Sequence, residues 1–399
     1  MKAQPIWRRR PLRAGGAAHF LHDGLTDTLY LFLPIWAEVF GLSHSGVGLL
    51  KMTFSAAFGA CQVPVGILAE RWGERRLLAI GTVLAGLAFV AMTVVGNVWT
   101  LGLCALGVGI GTAVQHPLSS TIISRGFSAS ERRQALGIYN FIGDLGKVAV
   151  PAAVATVVGW AGWRAGAGVL GGTAMAGGVI IFIVLLRAQL GAPPQNTAHG
   201  KQAQPTGWQF RDRRGFQLLS AISVIDSAVR TGFLTFAPFL LIEKGAAVET
   251  IGFALALIFA GGAAGKLGCG LMAARIGIRR SVFMTEGLTA ITIVALVASP
   301  LWAALAILPL LGAALNGTSS VLYGTVGDFV ETERQSRAFG LFYAVGAAAG
   351  VVAPPAYGFV SDMTSVSVAL LVMAVSLVVV IPLCQMMRPS LVAAGAEAP

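Results

Sequence analysis

Residues 66–76 read GILAERWGERR, and residues 270–280 read GLMAARIGIRR, 204 positions later. Each copy closes a long apolar run and combines a turn glycine, Gly73 or Gly277, with three arginines. A basic turn that recurs at about half the chain length predicts two related halves, because a fixed offset is the mark of an internal repeat. Between hydrophobic helices, such a repeat is typical of a membrane transporter.

The composition restricts the class of protein. Hydrophobic residues make up 56% of the 399 residues and charged residues only 11%, and the mean hydropathy is +0.77. Soluble domains carry about 25% charged residues, so this chain has too little polar surface for a water-facing globule. Apolar stretches of about 20 residues can each cross a bilayer as a helix, whereas β-barrel strands would alternate polar and apolar residues. The sequence therefore predicts an all-α polytopic membrane protein.

Apolar runs predict twelve transmembrane helices in two six-helix bundles. The predicted spans are roughly 17–39, 46–69, 77–96, 98–124, 134–159, 164–187, 216–242, 250–273, 281–298, 302–326, 336–359 and 365–387. The predicted domains are an N-terminal bundle (1–187), a polar cytoplasmic linker (188–215), a C-terminal bundle (216–387) and a cytoplasmic tail (388–399).

The basic residues predict the orientation. With a cytoplasmic N-terminus, 22 of the 28 Lys and Arg residues fall on the cytoplasmic side, two fall outside and four lie within spans. This asymmetry follows the positive-inside rule, so we expect a bacterial inner (plasma) membrane protein with both termini cytoplasmic. The net charge of +11 therefore reflects topology, and nucleic acid is not an expected partner. The four cysteines stand singly in apolar runs, so neither a disulfide nor a metal site is expected.

A second echo supports the duplication. Residues 135–151 carry Ala-Leu-Gly, a central glycine and a proline, and residues 338–354 carry Ala-Phe-Gly, a central glycine and a proline at a constant offset of 203. Two independent segments with nearly the same offset indicate parallel six-span repeats.

The motif after span two, repeated after span eight, resembles the signature loop of the major facilitator superfamily. Glu70 keeps the charge of the family's usual aspartate, whereas Ala274 replaces it in the second copy. His22-Asp23-Gly24 and Gln115-His116-Pro117 are more weakly similar to the fosmidomycin-resistance-type branch of exporters.

The resemblance implies a fold in which spans one, four, seven and ten line a central cavity. It also implies that Glu70, Arg71 and Arg75 latch the cytoplasmic ends of the halves in the outward-open state. The expected cytoplasmic gate motif consists of Gly66, Glu70, Arg71, Gly73, Arg75 and Arg76. The alternative is that its arginines only set topology.

Polar residues recur at helical spacing on the spans expected to line or flank the cavity, so each set shares one helix face. Ionisable groups inside a bilayer cost at least about 2.5 kcal/mol at its centre and are functional candidates. The predicted substrate and proton pathway comprises Asp23, Asp27, Tyr30, His116, Asn140, Asp144, Lys147, Asp226, Arg230, Asn316 and Tyr323.

Structural alternatives remain for several of these residues. Asp144 with Lys147, and Asp226 with Arg230, could be pairs that only fix helix packing. His116 could bond a carbonyl freed by the following proline. Glu286 is expected at the membrane interface near the start of its span, and Lys51 near the outer surface as a gate or rim residue.

No nucleotide motif, cofactor motif or nucleophile–base constellation is evident, so we expect neither an enzyme nor a cofactor. The best interpretation is a secondary transporter that works by alternating access, with Asp23, Asp27 or Asp144 carrying a coupling proton. Lys147 and Arg230 favour an anionic or polar organic substrate or drug. We expect proton-coupled efflux by antiport, from a chain that acts as a monomer in the lipid bilayer.

The alternative function is a proton-coupled importer of a small carboxylate or sugar acid, and a channel or a non-transporting sensor fits less well. One departure counts against antiport. The glycine–proline signature associated with antiporters on span five is only loosely met by Gly143, Gly146 and Pro151.

The asymmetry between the two motif copies leads to the first prediction. Glu70→Gln is expected to slow transport far more than Ala274→Ser, because only the first copy retains an acid. Initial transport rates in proteoliposomes measure both variants. Equal rates for the two would contradict a gating role for Glu70.

Overall fold

The computed structural model describes residues 6–193, 210–330 and 335–394, and most of the predicted linker lies outside these residues. The described chain is helical, with one isolated β-bridge between Phe210 and Val330. The α-helices are α1 (Arg10–Phe40), α2 (His44–Trp72), α3 (Glu74–Met92), α4 (Val98–Thr112), α5 (Gln115–Gly126), α6 (Ala129–Arg187), α7 (Arg213–Glu243), α8 (Val248–Ile276), α9 (Ile278–Ala298), α10 (Leu301–Thr325), α11 (Gln335–Met363), α12 (Val366–Ser376) and α13 (Val380–Ala393). Short 3-10 helices are Ile6–Arg8, Val326–Phe329 and Leu377–Val379.

The membrane spans agree with the predicted all-α architecture. Within the described residues, ten helical segments are long and apolar enough to cross a membrane. One of them, Gln134–Arg187, joins two helices across Gly162, whose φ of 80° is not helical. With these two counted separately and with the 31-residue α1 added, the structure is compatible with twelve spans.

The duplicated motif has the same backbone in both copies. Gly73 precedes α3 with φ 79° and ψ 151°, and Gly277 precedes α9 with φ 87° and ψ 162°. A positive φ is costly for residues with a Cβ atom, so both turns require glycine. The sequence repeat is therefore also a repeat of local structure.

The chain folds into two compact units. Unit 1 comprises Met1–Gly41, Leu50–His199 and Ala247–Ala256, and unit 2 comprises Leu42–Leu49, Gly200–Ala246 and Leu257–Pro399. The predicted domain boundaries stay a prediction, although α6 ends at Arg187 and α13 extends to Ala393, beyond the boundary expected at 387.

Helix α1 packs against α6 at two glycines in unit 1. A Cβ atom on Gly146 would collide with the backbone of Phe20, and one on Gly143 would meet the ring of His19 at 2.6 Å. Small residues permit this close approach of helices. It brings the polar face of α1 directly against α6.

An ion pair outside the spans joins the start of α1 to the start of α6. Arg9 Nη1 and Nη2 donate to the two oxygens of Glu131 at 2.9 and 2.7 Å. Hydrogen bonds from Arg9 and Ser128 lower the pKa of Glu131 to about 2. Glu131 also closes a capping box with Ser128, which fixes the first turn of α6.

In unit 2, buried residues from α7, α10, α11, α13 and the 3-10 helix Val326–Phe329 form a continuous core that includes Phe216, Phe329 and Phe342. At Gly232 of α7, a Cβ atom would meet the ring of Tyr357 on α11 at 2.6 Å. Close helix packing therefore holds the polar residues of α7 in place.

The close approach at Gly146 leads to a stability prediction. Gly146→Ala is expected to lower the free energy of unfolding by about 1–3 kcal/mol, because the methyl group has no space. The control is Gly137→Ala on the same helix, where a Cβ atom meets nothing within 4 Å. Thermal midpoints of the purified variants test this, and equal midpoints would contradict it.

Candidate substrate and proton site

Lys147 is the centre of a charged cluster in unit 1. Its Nζ lies 3.3 Å from Asp23 Oδ2, 3.7 Å from Asp27 Oδ2 and 3.7 Å from Asp144 Oδ1. The side chains of Asp23 and Asp144 are each 8% exposed, and that of Asp27 is 16% exposed. The two aspartates of α1 are four residues apart and share one face. One ammonium therefore contacts three carboxylates on two helices, of which Asp23 and Asp144 are buried and Asp27 is partly buried.

Lys51 adds a second cation to this cluster. Its expected place near the outer surface, as a gate or rim residue, stays a prediction; the residue is 6% exposed, and its Nζ donates to Ser55 at 2.9 Å. The ammonium lies 5.0 Å above the ring of Tyr30 and 4.8 Å above the ring of Phe54, close enough for cation–π attraction. Its charge also acts on Asp27. With all three carboxylates ionised and the imidazoles neutral, the cluster has an excess of one negative charge.

His19 sits where it can supply the missing positive charge. Its Nδ1 lies 3.0 Å from the carbonyl oxygen of Tyr139, and its Nε2 lies 3.1 Å from Asp23 Oδ2. A carbonyl oxygen only accepts, so Nδ1 carries a hydrogen. A neutral ring would then point the Nε2 lone pair at a carboxylate. A proton held between His19 Nε2 and the Asp23 carboxylate removes that repulsion.

His116 completes a group of three possible metal ligands with His19 and Asp23, whose ligand atoms lie within 4.8 Å of one another. Its Nε2 is 3.9 Å from Asp23 Oδ1. However, the ammonium of Lys147 already lies against the same carboxylate and would repel a divalent cation. We therefore assign none of these residues as a metal ligand, and a proton fits the geometry better.

His22 lies outside the charged cluster's ion contacts and forms a buried hydrogen bond to Thr82. Thr82 donates its hydroxyl hydrogen to the carbonyl of Leu78 at 2.6 Å, so it accepts a hydrogen bond from His22 Nε2 at 2.7 Å. His22 thereby ties α1 to α3. Asn140, in contrast, is exposed, and the structure does not bring it to the charged cluster.

The predicted polar residues of α7 form a smaller cluster in unit 2. Arg230 Nη2 lies 3.7 Å from Asp226 Oδ2 and donates to Ser227 at 3.2 Å. The Asp226 side chain is 3% exposed. Asn316 donates to the carbonyl of Gly312 at 3.1 Å within its own helix. The structure thus pairs Asp226 with Arg230, whereas the side chain of Asn316 bonds to the backbone of its own helix.

Tyr323, another predicted pathway residue, stacks on Tyr343 with ring centroids 4.6 Å apart.

Glu286 lies near Asp226 and is only 4% exposed. The expectation that it sits at the membrane interface stays a prediction, but the protein itself covers the side chain. It is the ninth residue of the 21-residue α9, about 12 Å along the axis from the first residue.

The gate motif presents most of its charge to the surroundings. Glu70, Arg71 and Arg76 are exposed, and Glu70 forms no ion pair within the described part of the chain. The buried acid of the motif is Glu74, whose Oε1 lies 2.6 Å from Arg125 Nη1. Sequence reasoning missed this pair because Glu74 follows the turn glycine, outside the family pattern. The gating role of Glu70 stays a prediction.

The remaining motif residues shape the turn between α2 and α3. The backbone N–H of Arg75 donates to Gly191 at 2.9 Å, and its guanidinium carbon lies 5.8 Å from the ring centroid of Phe182. A Cβ atom on Gly73 would meet the backbone of residues 191–193. Gly66 has open space around it, with nothing within 4 Å of a Cβ atom.

Residues 16–239 and 219–393 match the sequence pattern of a family described as Major Facilitator Superfamily. The Escherichia coli (strain K12) protein named "Probable L-galactonate transporter" is 34% identical over 137 residues, which cover 34% of this chain and 30% of that protein. The "Fosmidomycin resistance protein" of the same strain is 26% identical over 147 residues, covering 37% and 36%. The chain thus spans about a third of the length of these curated relatives, and the resemblance to the fosmidomycin-resistance branch is a weak one.

Among solved structures, a bacterial homologue of the human lysosomal transporter Spinster superimposes with a TM-score of 0.81 at 16% identity, covering 100% of both chains. At this identity, the likeness shows a shared fold and nothing of substrate. It agrees with the predicted fold class.

Removal of the central ammonium leads to a pH-dependent prediction. Lys147→Met leaves three carboxylates with one fewer cation and is expected to destabilise the protein by about 3–5 kcal/mol at neutral pH. This loss of stability relative to the wild type is expected to become smaller as the pH falls, because protonated carboxyl groups no longer repel one another.

Thermal midpoints across a pH series measure this effect, with Arg187→Met as the control because Arg187 is exposed. A deficit for Lys147→Met that stays constant with pH would contradict the account.

Proposed function

Because the chain belongs to the Major Facilitator Superfamily, we propose that it is a proton-coupled transporter of a small organic anion that works by alternating access. The observation that supports this proposal is the contact of Lys147 with three buried or partly buried carboxylates, one of which, Asp23, also pairs with His19. The chain is a multi-pass membrane protein, and we place it in the bacterial inner membrane with both termini cytoplasmic. One chain contains all the residues invoked here, and we propose that it acts as a monomer.

The charge balance of the cluster links protons to the substrate. In the fully ionised form, the excess negative charge repels an anion. A proton on the His19–Asp23 pair removes that excess negative charge. The ammonium of Lys147 is then neutralised less completely by Asp23 and can attract an anionic ligand. Proton and anion therefore favour each other's binding, and this cooperation is reciprocal.

This cooperation favours symport, in which proton and anion cross together and the proton gradient drives uptake. In antiport the two would compete for one site, which suits a cationic substrate better than an anionic one. The relative named as a probable L-galactonate transporter supports a sugar acid or similar carboxylate as the substrate class.

The second candidate function is proton-coupled efflux by antiport. The weak similarity to the fosmidomycin resistance protein favours it. A deletion strain exposed to toxic organic acids separates the two functions, because loss of an importer confers resistance and loss of an exporter confers hypersensitivity.

Proteoliposomes test the coupling residue. Asp23→Asn imitates the protonated aspartate, so it is expected to retain counterflow of labelled L-galactonate and to lose accumulation driven by an imposed pH gradient. Glu38→Gln, at an exposed site of the same helix, is the matched control and should retain both activities. Gradient-driven accumulation by Asp23→Asn would contradict the assignment of the proton to this pair.

A further inference from the structure

Glu286 of α9 is a buried acid that the proposed transport cycle does not use. It is 4% exposed, and its Oε1 has no hydrogen-bond partner among the described residues. Burial of an ionised carboxylate is costly unless it is paired and fully hydrogen-bonded. The charges and hydrogen-bond donors around Glu286 therefore determine whether its carboxyl group is ionised or protonated.

The charged groups around Glu286 leave it without a cation of its own. Asp226 and Arg230 of α7 are the charged side chains that act on it. Arg230 already lies 3.7 Å from Asp226 and donates to Ser227. With both acids ionised, one guanidinium would face two carboxylates in a buried region.

The helices packed on α9 supply no further cation close to this acid. On α10 the ionisable side chain is Tyr323, which stacks on Tyr343. On α13 they are Cys384 and Arg388, and α12 carries none. Arg388 is exposed, whereas the Glu286 side chain is buried. One proton is therefore the simplest way to balance the charge.

The hydroxyl groups of the neighbouring threonines leave one oxygen of Glu286 without a donor. Thr285 donates its hydroxyl hydrogen to the carbonyl of Ser281 at 3.0 Å, and Thr318 donates to Thr285 at 2.7 Å. Neither hydroxyl supplies a hydrogen bond to Oε1 of Glu286. A buried ionised carboxylate would leave that oxygen both charged and unsatisfied, which is costly.

We propose that Glu286 is a proton-binding site of unit 2, which holds a proton at neutral pH while Asp226 remains ionised against Arg230. The site is separate from the His19–Asp23 pair of unit 1. The chain thus contains two proton sites, one in each unit. This inference concerns the protein without substrate and does not depend on the proposed substrate or direction of transport.

Infrared spectroscopy of the purified full chain tests the proposal directly. The carboxylic-acid C=O stretch, identified by its shift in D₂O, is expected in the wild type at neutral pH and is expected to lose one component in Glu286→Gln. Glu243→Gln, at the exposed end of α7, should leave the band unchanged. A spectrum that is the same for Glu286→Gln and the wild type would overturn the proposal.

Thermal stability supplies a second, independent measurement. Glutamine imitates the protonated acid, so Glu286→Gln is expected to fold with a midpoint within about 2 °C of the wild type at about pH 4, where the glutamate of the unfolded chain is also largely protonated. As the pH rises from there through neutrality, the wild type should lose stability relative to the variant, because the unfolded chain releases the proton that folded Glu286 keeps. Loss of the folded state in Glu286→Gln, or parallel pH profiles, would show that the ionised carboxylate is the structural form.

Discussion

The contact of the partly buried Lys147 with Asp23, Asp27 and Asp144 is the constraint on which the candidate site depends. Buried ions are stable only when their charges and hydrogen bonds are balanced, and here three carboxylates exceed the two ammonium groups of Lys147 and Lys51. A proton or an anion changes that balance by a whole unit of charge. The site therefore responds to both, which is the physical basis for coupling them.

Packing makes this constraint possible. Gly146 brings the backbone of α6 against that of α1, and Gly143 leaves room for the ring of His19. A larger residue at either position would separate the helices and open the ion contacts, which weaken with distance and with access of water. In unit 1, the charge balance therefore depends on the close packing of α1 and α6.

The sequence was sufficient for the fold class, the duplication and the polar faces of α1, α6 and α7, because these follow from hydropathy and helical spacing. It also identified Asp23, Asp144 and Lys147. It did not identify the convergence of three carboxylates on one lysine, since contacts between helices depend on how each helix is rotated. Lys51 and Glu286 illustrate the same limit, because position within a span does not show which neighbours cover a side chain. Whether the predicted pathway and gate residues act in transport stays a prediction.

The central claim is that protonation and anion binding favour each other. The most direct measurement is the affinity of the purified protein for L-galactonate as a function of pH. The account predicts that binding tightens as the pH falls, up to tenfold per pH unit for one linked proton, and that Asp23→Asn removes most of this dependence. Binding that is independent of pH, or that weakens on acidification, would contradict it.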